Sequence, residues 1–405
     1  MTFHNLVIVA AVAAGIPLFI GMTRAPVPGP VLEIVAGIVL GPAALDVLHV
    51  DATVRAAAVL GLGFLLFLAG LEIDVRRVVA GPAARPVLLG LAGTIAAGLV
   101  AGEVLHAAGL AKSPLLVGIA FMATSLGLVV PVLKDAGAAD RQIGQLTIAG
   151  ASSGELTAVV LLSLFFSQRG GALGGRLLLL GLLVVLVAAA VTAVVQARRW
   201  QRLSGMIAML ADTTAQIRVR LAVLALVGLA ALAEHLGFEA ILGAFLAGVL
   251  LRVVDPDAAR RHPNFHVKLE GIGYGFLIPV FFVSSGVTFD LDALLDHPAT
   301  LLRVPLYLAL LLVIRGVPAI AYRGLLPARE VVAAGLLQSA SLPFIVAATQ
   351  IGLALGAVTP TNAAALVAAG LFSVLVYPVV ALRIIGAPPR LPPTVMASAA
   401  MLDPM

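Results

Sequence analysis

Long runs of apolar residues follow one another along the whole chain, each ended by a short cluster of charged, proline or glycine residues. The runs are continuous and do not alternate with polar residues, a pattern that indicates membrane-spanning helices and not barrel strands. A helix that crosses a hydrocarbon layer of about 30 Å needs roughly 20 apolar residues. Division at the polar breaks predicts thirteen helices, at 5–22, 29–46, 54–73, 84–108, 114–133, 143–167, 176–196, 219–236, 238–252, 269–288, 300–322, 330–353 and 361–385. The chain is therefore predicted to be an all-α polytopic membrane protein.

The composition narrows the class of protein further. Of the 405 residues, 61% are hydrophobic and 11% are charged, whereas a soluble domain carries about 25% charged residues. This balance excludes a water-soluble enzyme, a nucleic-acid-binding protein and a disordered chain. The chain has no cysteine, which excludes disulfides and thiolate metal sites. No cofactor is expected, and we find no phosphate loop or catalytic acid pair that would indicate an enzyme.

The distribution of basic residues predicts the orientation in the membrane. If the N-terminus lies outside, 19 of the 25 lysines and arginines fall in inner loops and the C-terminal tail, and 5 fall outside. Cytoplasmic loops carry such an excess of positive charge. We expect the first run to be a retained helix and not a signal peptide, because no basic residue precedes it. The predicted topology has the N-terminus outside and the C-terminus inside, and residues 196–220 form a basic segment at the inner interface.

Two of the predicted spans contain polar and proline interruptions at matching depth. The fifth contains Thr124, Ser125 and Pro131, and the twelfth contains Gln338, Ser339, Ser341 and Pro343. Unpaired backbone groups are not tolerated in lipid, so such interruptions survive where they line a cavity or pack against protein. A matched pair predicts inverted repeats with crossing broken helices and a binding site for a small ion at the midplane. The alternative is a pair of ordinary proline kinks.

Two charged residues lie near the centres of predicted spans. Glu155 occupies the sixth span, with Ser152 one turn earlier on the same face. A carboxylate there could hold a proton or a desolvated monovalent cation, or it could be a neutral structural residue. Arg315 lies in the eleventh span and, since it keeps its charge, it needs a carboxylate partner or a wet cavity. Glu155 is one candidate partner, and both a structural clamp and an ion-site counter-charge remain open for Arg315.

Four stretches resemble signatures of the monovalent cation:proton antiporter family 2. They are VLEIVAGIVLGP at 31–42, LGFLLFLAGLEID at 62–74, ATSLGLVVPVL at 123–133 and FFVSSGVTFD at 281–290. The resemblance implies a transmembrane antiporter domain over 1–386, and a short cytoplasmic tail at 387–405. It implies a homodimer in the bilayer, with an elevator-like core formed mostly by 84–167 and 300–386 and a dimerisation scaffold from the remaining helices. The ion-binding carboxylate of the family matches Glu155, and the basic residue facing it matches Arg315.

The residue before the acid departs from the family pattern, because Gly154 precedes Glu155 where an acid, Asn or Gln is usual. A single acid favours exchange of one proton for one Na+ or K+ ion at Glu155, without net charge movement. Thr124, Ser125 and Ser152 are predicted to help bind the cation. We expect a secondary antiporter in a prokaryotic inner membrane. The alternative is a sodium-coupled symporter of a small organic anion on a related scaffold, which would need a roomier polar cavity.

Overall fold

The computed structural model describes residues 3–23, 27–73, 83–166, 173–199, 216–255, 263–295 and 298–386. These residues form helices joined by short connections, and no strand occurs among them. The helices are α1 (His4–Thr23), α2 (Gly29–Leu40), α3 (Ala52–Glu72), α4 (Ala84–Ala107), α5 (Pro114–Met122), α6 (Leu126–Asp135), α7 (Gln142–Phe165), α8 (Leu173–Arg199), α9 (Ile217–His235), α10 (Ala240–Val254), α11 (Pro263–Ile272), α12 (Ile278–Val287), α13 (Leu291–Leu295), α14 (Pro298–Leu311), α15 (Ala328–Gln338), α16 (Pro343–Ala354) and α17 (Pro360–Ile384). Wider π-helical turns follow α11 at Gly273–Leu277 and α14 at Leu312–Gly316, and a 3₁₀ segment, Val317–Gly324, continues the second.

The all-helical membrane class is confirmed, but the count of thirteen spans is not. Among the described residues, ten helical segments are long and apolar enough to cross a membrane, and two shorter apolar helices accompany them. The predicted span at 219–236 corresponds to α9, which contains Arg218, Arg220 and Glu234 and does not join these candidates. Its three charged residues, near the two ends, make this helix more densely charged than the ten candidates.

The second helix is shorter than the predicted 29–46, since α2 ends at Leu40. Gly41 and Pro42 follow it directly, and a proline ring clashes with the preceding helical turn. The chain then folds back, so that the amides of Val47 and Leu48 donate hydrogen bonds of 2.9 and 2.8 Å to the carbonyl of Leu40. The apolar residues after Pro42 therefore cover the end of the helix and do not extend it.

The chain divides into two compact units, of which the first comprises 1–23, 29–74 and 156–291. In this unit α12 packs on α2 and α3, α3 packs on α10, and α10 packs on α9. The α2–α12 contact brings the two backbones together, because a Cβ atom added to Gly286 would lie 2.1 Å from the carbonyl oxygen of Ile34. Gly37 meets the carbonyl of Val283 in the same way. Glycine is required at this crossing because no side chain fits between the helices.

The second unit comprises 24–28, 75–155 and 292–405. Here α4 packs on α5, α5 contacts α16, and α14, α15 and α16 pack on α17. This unit contains most of the segments predicted to form the moving core, while residues 156–165 of α7 belong to the first unit. The transport and dimerisation roles assigned to these segments stay predictions. The tail at 387–405 and residues 200–215 of the basic segment lie outside the described residues.

Candidate ion-binding site

Both interrupted spans are broken helices, and their unwound segments meet. α5 ends at Met122 and α6 begins at Leu126, while α15 ends at Gln338 and α16 begins at Pro343. The amide of Ser125 donates a 3.0 Å hydrogen bond to the carbonyl oxygen of Ala340. The two breaks thus satisfy part of each other's free backbone groups, which is how such breaks are tolerated at membrane depth. The predicted crossing of two broken helices is confirmed.

The two prolines are placed differently relative to the breaks. Pro131 lies inside α6, several residues after the unwound segment, and its side chain is exposed. Pro343 occupies the first turn of α16, where its missing N–H costs no hydrogen bond. The second unwound segment is anchored by α17, because the amide of Ser341 donates a 3.1 Å hydrogen bond to Oγ of Ser373. Pro131 was predicted to line the break, and the structure places it away from the break.

Glu155 lies on α7 facing the start of α6. The residue is 4% exposed, and its Oε2 accepts a hydrogen bond of 3.3 Å from the amide of Leu126, the first residue of α6. Free amides and the helix dipole make a helix N-terminus favourable for negative charge. One turn away, the buried Oγ of Ser152 has no hydrogen-bond partner among the described residues. The site therefore combines a stabilised carboxylate with an unused oxygen ligand.

Arg315 is buried in the π-helical turn after α14, with 1% of its surface exposed. Its Nε donates to Oγ1 of Thr124 at 2.7 Å and its Nη1 to Oγ1 of Thr94 at 3.3 Å. Its Nη2 donates to the carbonyl of Gly150 at 3.0 Å. These neutral oxygens replace water around the guanidinium, and the negative charge of Glu155 adds a favourable electrostatic interaction. A buried arginine needs both kinds of partner.

The predicted polar residues of the breaks divide into those bonded within the protein and those still free. Thr124 donates a 2.6 Å hydrogen bond to the carbonyl of Gln338 and accepts from Arg315, so its hydroxyl is already bonded twice. The Gln338 side chain donates to the Tyr322 hydroxyl at 3.1 Å, and Ser339 bonds back to Gly335 in its own helix. The buried hydroxyl of Ser341 has no partner among the residues that the structure describes. Ser125 is buried and contributes its backbone amide to the crossing.

Four residues of this cluster were not predicted from the sequence: Thr94, Gly150, Tyr322 and Ser373. Thr94, Gly150 and Ser373 are single small residues between apolar or glycine neighbours, and Tyr322 lies beside Arg323 at the predicted end of its span, so none of these positions marks a site residue. Thr and Ser in a membrane helix commonly bond to a carbonyl of the preceding turn, so the sequence does not separate those that reach another helix. Arg315 itself is the one indirect signal, because a buried arginine needs several hydrogen-bond acceptors and so predicts that some oxygen atoms of neighbouring helices face it.

A bundle of apolar helices in which two broken helices meet beside a buried carboxylate and a buried arginine defines a polytopic membrane protein with a candidate ion-binding site at the crossing. The chain belongs to the sodium/hydrogen exchanger family, whose transmembrane profile matches residues 8–384. YjbQ of Bacillus subtilis, a Na+/H+ antiporter by its name, is 31% identical over 93% of the chain and 62% of its own length. K+ efflux antiporter 1 of the Arabidopsis thaliana chloroplast is 28% identical over 73% of the chain and 25% of its own length.

The solved structure of the sodium proton antiporter MjNhaP1 from Methanocaldococcus jannaschii at pH 8 has the same fold. It aligns with a TM-score of 0.60 at 15% identity, over 94% of this chain and 97% of MjNhaP1. The chain spans less than two thirds of the length of YjbQ and of the Arabidopsis protein. The sodium-coupled symporter of an organic anion is not supported, because the matching family consists of exchangers.

Proposed function

We propose that the protein is a secondary active antiporter that exchanges H+ for Na+ or K+ by alternating access, with Glu155 as the coupling carboxylate. The observation that carries this proposal is the placement of a buried carboxylate at the start of α6, beside the Ser152 hydroxyl, which has no hydrogen-bond partner in the described part of the chain. A desolvated alkali cation needs several oxygen ligands, which a carboxylate, a serine hydroxyl and unwound backbone carbonyls provide. The names of YjbQ and the Arabidopsis relative support both Na+ and K+ as substrates.

One carboxylate binds either one proton or one monovalent cation, so both loaded forms of the site carry the same charge. Exchange in a ratio of one to one then moves no net charge across the membrane. Arg315 stabilises the ionised carboxylate in the interval between the two ligands. Thr124, which the sequence suggested as a cation ligand, acts in this conformation as the partner that holds Arg315.

We also propose an orientation in the membrane and an oligomeric state for the protein. The excess of basic residues on one side supports an outer N-terminus and a cytoplasmic C-terminus, in the inner membrane of a prokaryotic cell. The resemblance to the antiporter family supports a homodimer, in which 84–167 and 300–386 contribute most of the moving core. Light scattering of the purified protein in detergent tests the dimer, and a monomeric mass would contradict it.

Exchange can be measured with a pH-sensitive dye trapped in proteoliposomes, to which Na+, K+ and Li+ are added in turn. The wild type should give a cation-dependent pH change, and Glu155→Gln and Glu155→Ala should abolish it. Full activity in Glu155→Ala would overturn the site assignment. A wild type that is silent with all three cations, in vesicles shown to contain folded protein, would overturn the antiporter function.

Two neighbouring serines provide a matched control for the cation ligand. Ser152 and Ser153 are both buried on α7, but the Ser153 hydroxyl donates to the carbonyl of Gly150 in its own helix at 2.9 Å. Ser152→Ala should raise the apparent KM for the cation about five-fold, the effect of losing a contact of about 1 kcal/mol. Ser153→Ala should leave the KM within about two-fold of the wild type, because it removes only a hydrogen bond within α7 and no ligand of the cation. Equal effects of the two substitutions would exclude a special role for Ser152.

A further inference from the structure

The guanidinium of Arg315 lies directly on the backbone of Gly154. A Cβ atom added to Gly154 would be 2.6 Å from Nη1 and 2.7 Å from both Cζ and Nη2. All three atoms belong to the guanidinium, so the charged end of the side chain occupies the volume that any side chain at this position would need. Gly150, one turn earlier, makes a similar close approach to the Tyr322 hydroxyl, at 2.3 Å from a Cβ atom.

Hydrogen bonds from three different elements hold the guanidinium in this position. It is held by Thr94 on α4, by Thr124 in the first unwound segment and by the carbonyl of Gly150 on α7. A flexible side chain normally yields to a new methyl group at low cost. Here a shift of a few tenths of an ångström or more would lengthen several hydrogen bonds of a buried cation, whose loss is costly.

The position of Gly154 on α7 also fixes the side from which the positive charge approaches Glu155. Successive residues of an α-helix are about 100° apart around the axis, so Gly154 and Ser152 flank Glu155 on opposite sides. The Gly154 side is filled by the guanidinium, and the Ser152 side presents a buried hydroxyl with no partner among the described residues. The carboxylate thus has a fixed cation on one flank and an available oxygen ligand on the other.

We infer that Gly154 is a positioning residue, which seats the Arg315 guanidinium beside Glu155 and thereby sets the pH range of exchange and leaves the Ser152 flank for the transported cation. This inference rests on the proposed antiport at Glu155. The charged and titratable side chains that the described part of this unit brings together here are Glu155, Arg315 and Tyr322. A tyrosine ordinarily titrates near pH 10, so the proton competition in the neutral range belongs to Glu155, with Arg315 as its fixed neighbour.

The test compares Gly154→Ala, Arg315→Lys and the double variant Gly154→Ala/Arg315→Lys in the dye assay, over a range of pH. Gly154→Ala should reduce the exchange rate at least about ten-fold, the scale of disturbing a hydrogen-bonded buried charge. The pH at half-maximal exchange should rise by about one unit. A positive charge that has moved away stabilises the ionised form of Glu155 less, so the carboxyl group keeps its proton to a higher pH. In the Arg315→Lys background the alanine should have no further effect, because the narrower ammonium group leaves room for the methyl group.

The control is Gly93→Ala on α4, whose added Cβ would lie 3.4 Å from the Pro318 side chain and should leave rate and pH profile unchanged. Additive effects of Gly154→Ala and Arg315→Lys, or an unshifted pH profile in Gly154→Ala, would overturn the inference while the wild-type activity still supports antiport. If Gly154→Ala is not recovered from the membrane, recovery of the double variant supports the inference and its loss contradicts it. A silent wild type would instead contradict the proposed function.

Discussion

The backbone amide of Leu126 donates a hydrogen bond to Oε2 of Glu155, across a nitrogen-to-oxygen distance of 3.3 Å. Leu126 begins α6, so the carboxylate faces the positive end of a broken helix. The positive charge of Arg315 faces the negative end of the other broken helix, because its Nε lies 3.4 Å from the carbonyl oxygen of Gln338, the last residue of α15. The two breaks therefore supply partial charges of the sign that each buried charge requires.

The contact between Glu155 and α6 depends on the length of the side chain. Glu155→Asp keeps the charge but shortens the side chain by one methylene, about 1.5 Å, which takes the carboxylate out of reach of the Leu126 amide. Hydrogen bonds to charged groups contribute about 1.5–3 kcal/mol, so the apparent KM for the cation should rise about ten-fold or more. Initial exchange rates in proteoliposomes as a function of cation concentration measure this.

The matched variant for that experiment is Glu330→Asp, which shortens a partly exposed carboxylate paired with Arg141 at 2.6 Å. Exposed ion pairs contribute little, so its KM should equal that of the wild type. A wild-type KM in Glu155→Asp would show that the reach of the carboxylate to α6 is not needed for cation binding.

Loss of a threonine hydroxyl that binds Arg315 should lower the exchange rate more when its hydrogen bond is shorter. Thr124→Val removes a 2.7 Å acceptor for Nε and a donor to the Gln338 carbonyl, whereas Thr94→Val removes a 3.3 Å acceptor for Nη1. Valine is nearly isosteric with threonine, so the change is confined to the hydrogen bonds. Thr124→Val should lower the exchange rate about ten-fold or more and Thr94→Val about three-fold, on the scale of hydrogen bonds to a charged group.

Thr349→Val is the control for these two variants, because the hydroxyl of this buried threonine donates a 2.9 Å hydrogen bond to the carbonyl of Val346 in its own helix and not to Arg315. Its exchange rate should stay near that of the wild type. If Thr349→Val is as defective as Thr124→Val, the loss reflects general packing of valine in this bundle and not the support of Arg315.

The sequence identified the residues that carry a cost in the membrane. Glu155 and Arg315 are conspicuous because a charge in a span needs compensation, and the breaks are marked by polar residues next to Pro343 and after Met122. Thr94 carries no such cost, because a hydroxyl can bond within its own helix. Its role depends on which helix faces it, and that information resides in tertiary packing.

The division into two units could not be predicted from hydropathy for a related reason. All the spans have similar apolar composition, and helices in lipid choose neighbours through small residues and shape, not through an amphipathic face. The boundary between the two units falls inside a single helix, between Glu155 and Leu156 of α7. The sequence shows one uninterrupted span there, with nothing to indicate that its two halves belong to different units.

Asp51 should make the stability of the protein dependent on pH at the acid end. It precedes α3, where its carboxylate accepts hydrogen bonds from the amides of Val54 and Thr53 and from the Asn5 side chain. The Val54 amide, followed by the Asn5 side chain, lowers the pKa of Asp51 below its usual value. A lowered pKa means that this stabilisation is present above the unfolded value, about 3.9, and is lost as the pH falls through the folded one.

The expected result is that Asp51→Ala melts at a lower temperature than the wild type at pH 7, and that this difference shrinks as the pH falls below about 4. Thermal unfolding in detergent, followed by the loss of the monodisperse peak in chromatography, measures it. Asp51→Ser keeps a capping oxygen without a titrating group and should melt close to the wild type at pH 7. A difference between wild type and Asp51→Ala that is constant from pH 7 to pH 3 would show that the cap does not act through its charge.

The close approach of α2 and α12 should make Gly286 one of the least replaceable residues of the first unit. A Cβ atom there would lie 2.1 Å from the carbonyl oxygen of Ile34 and 2.9 Å from Cα of Gly37. These are backbone atoms, which cannot rotate away, so Gly286→Ala must separate the two helices. Overpacking of this kind costs about 1–3 kcal/mol, and we expect a clear fall in melting temperature.

Gly15→Ala, whose added Cβ meets nothing within 4 Å, should melt at or slightly above the wild-type temperature, since alanine favours helix over glycine. A Gly286→Ala variant as stable as Gly15→Ala would mean that α2 and α12 do not pack backbone to backbone in the membrane.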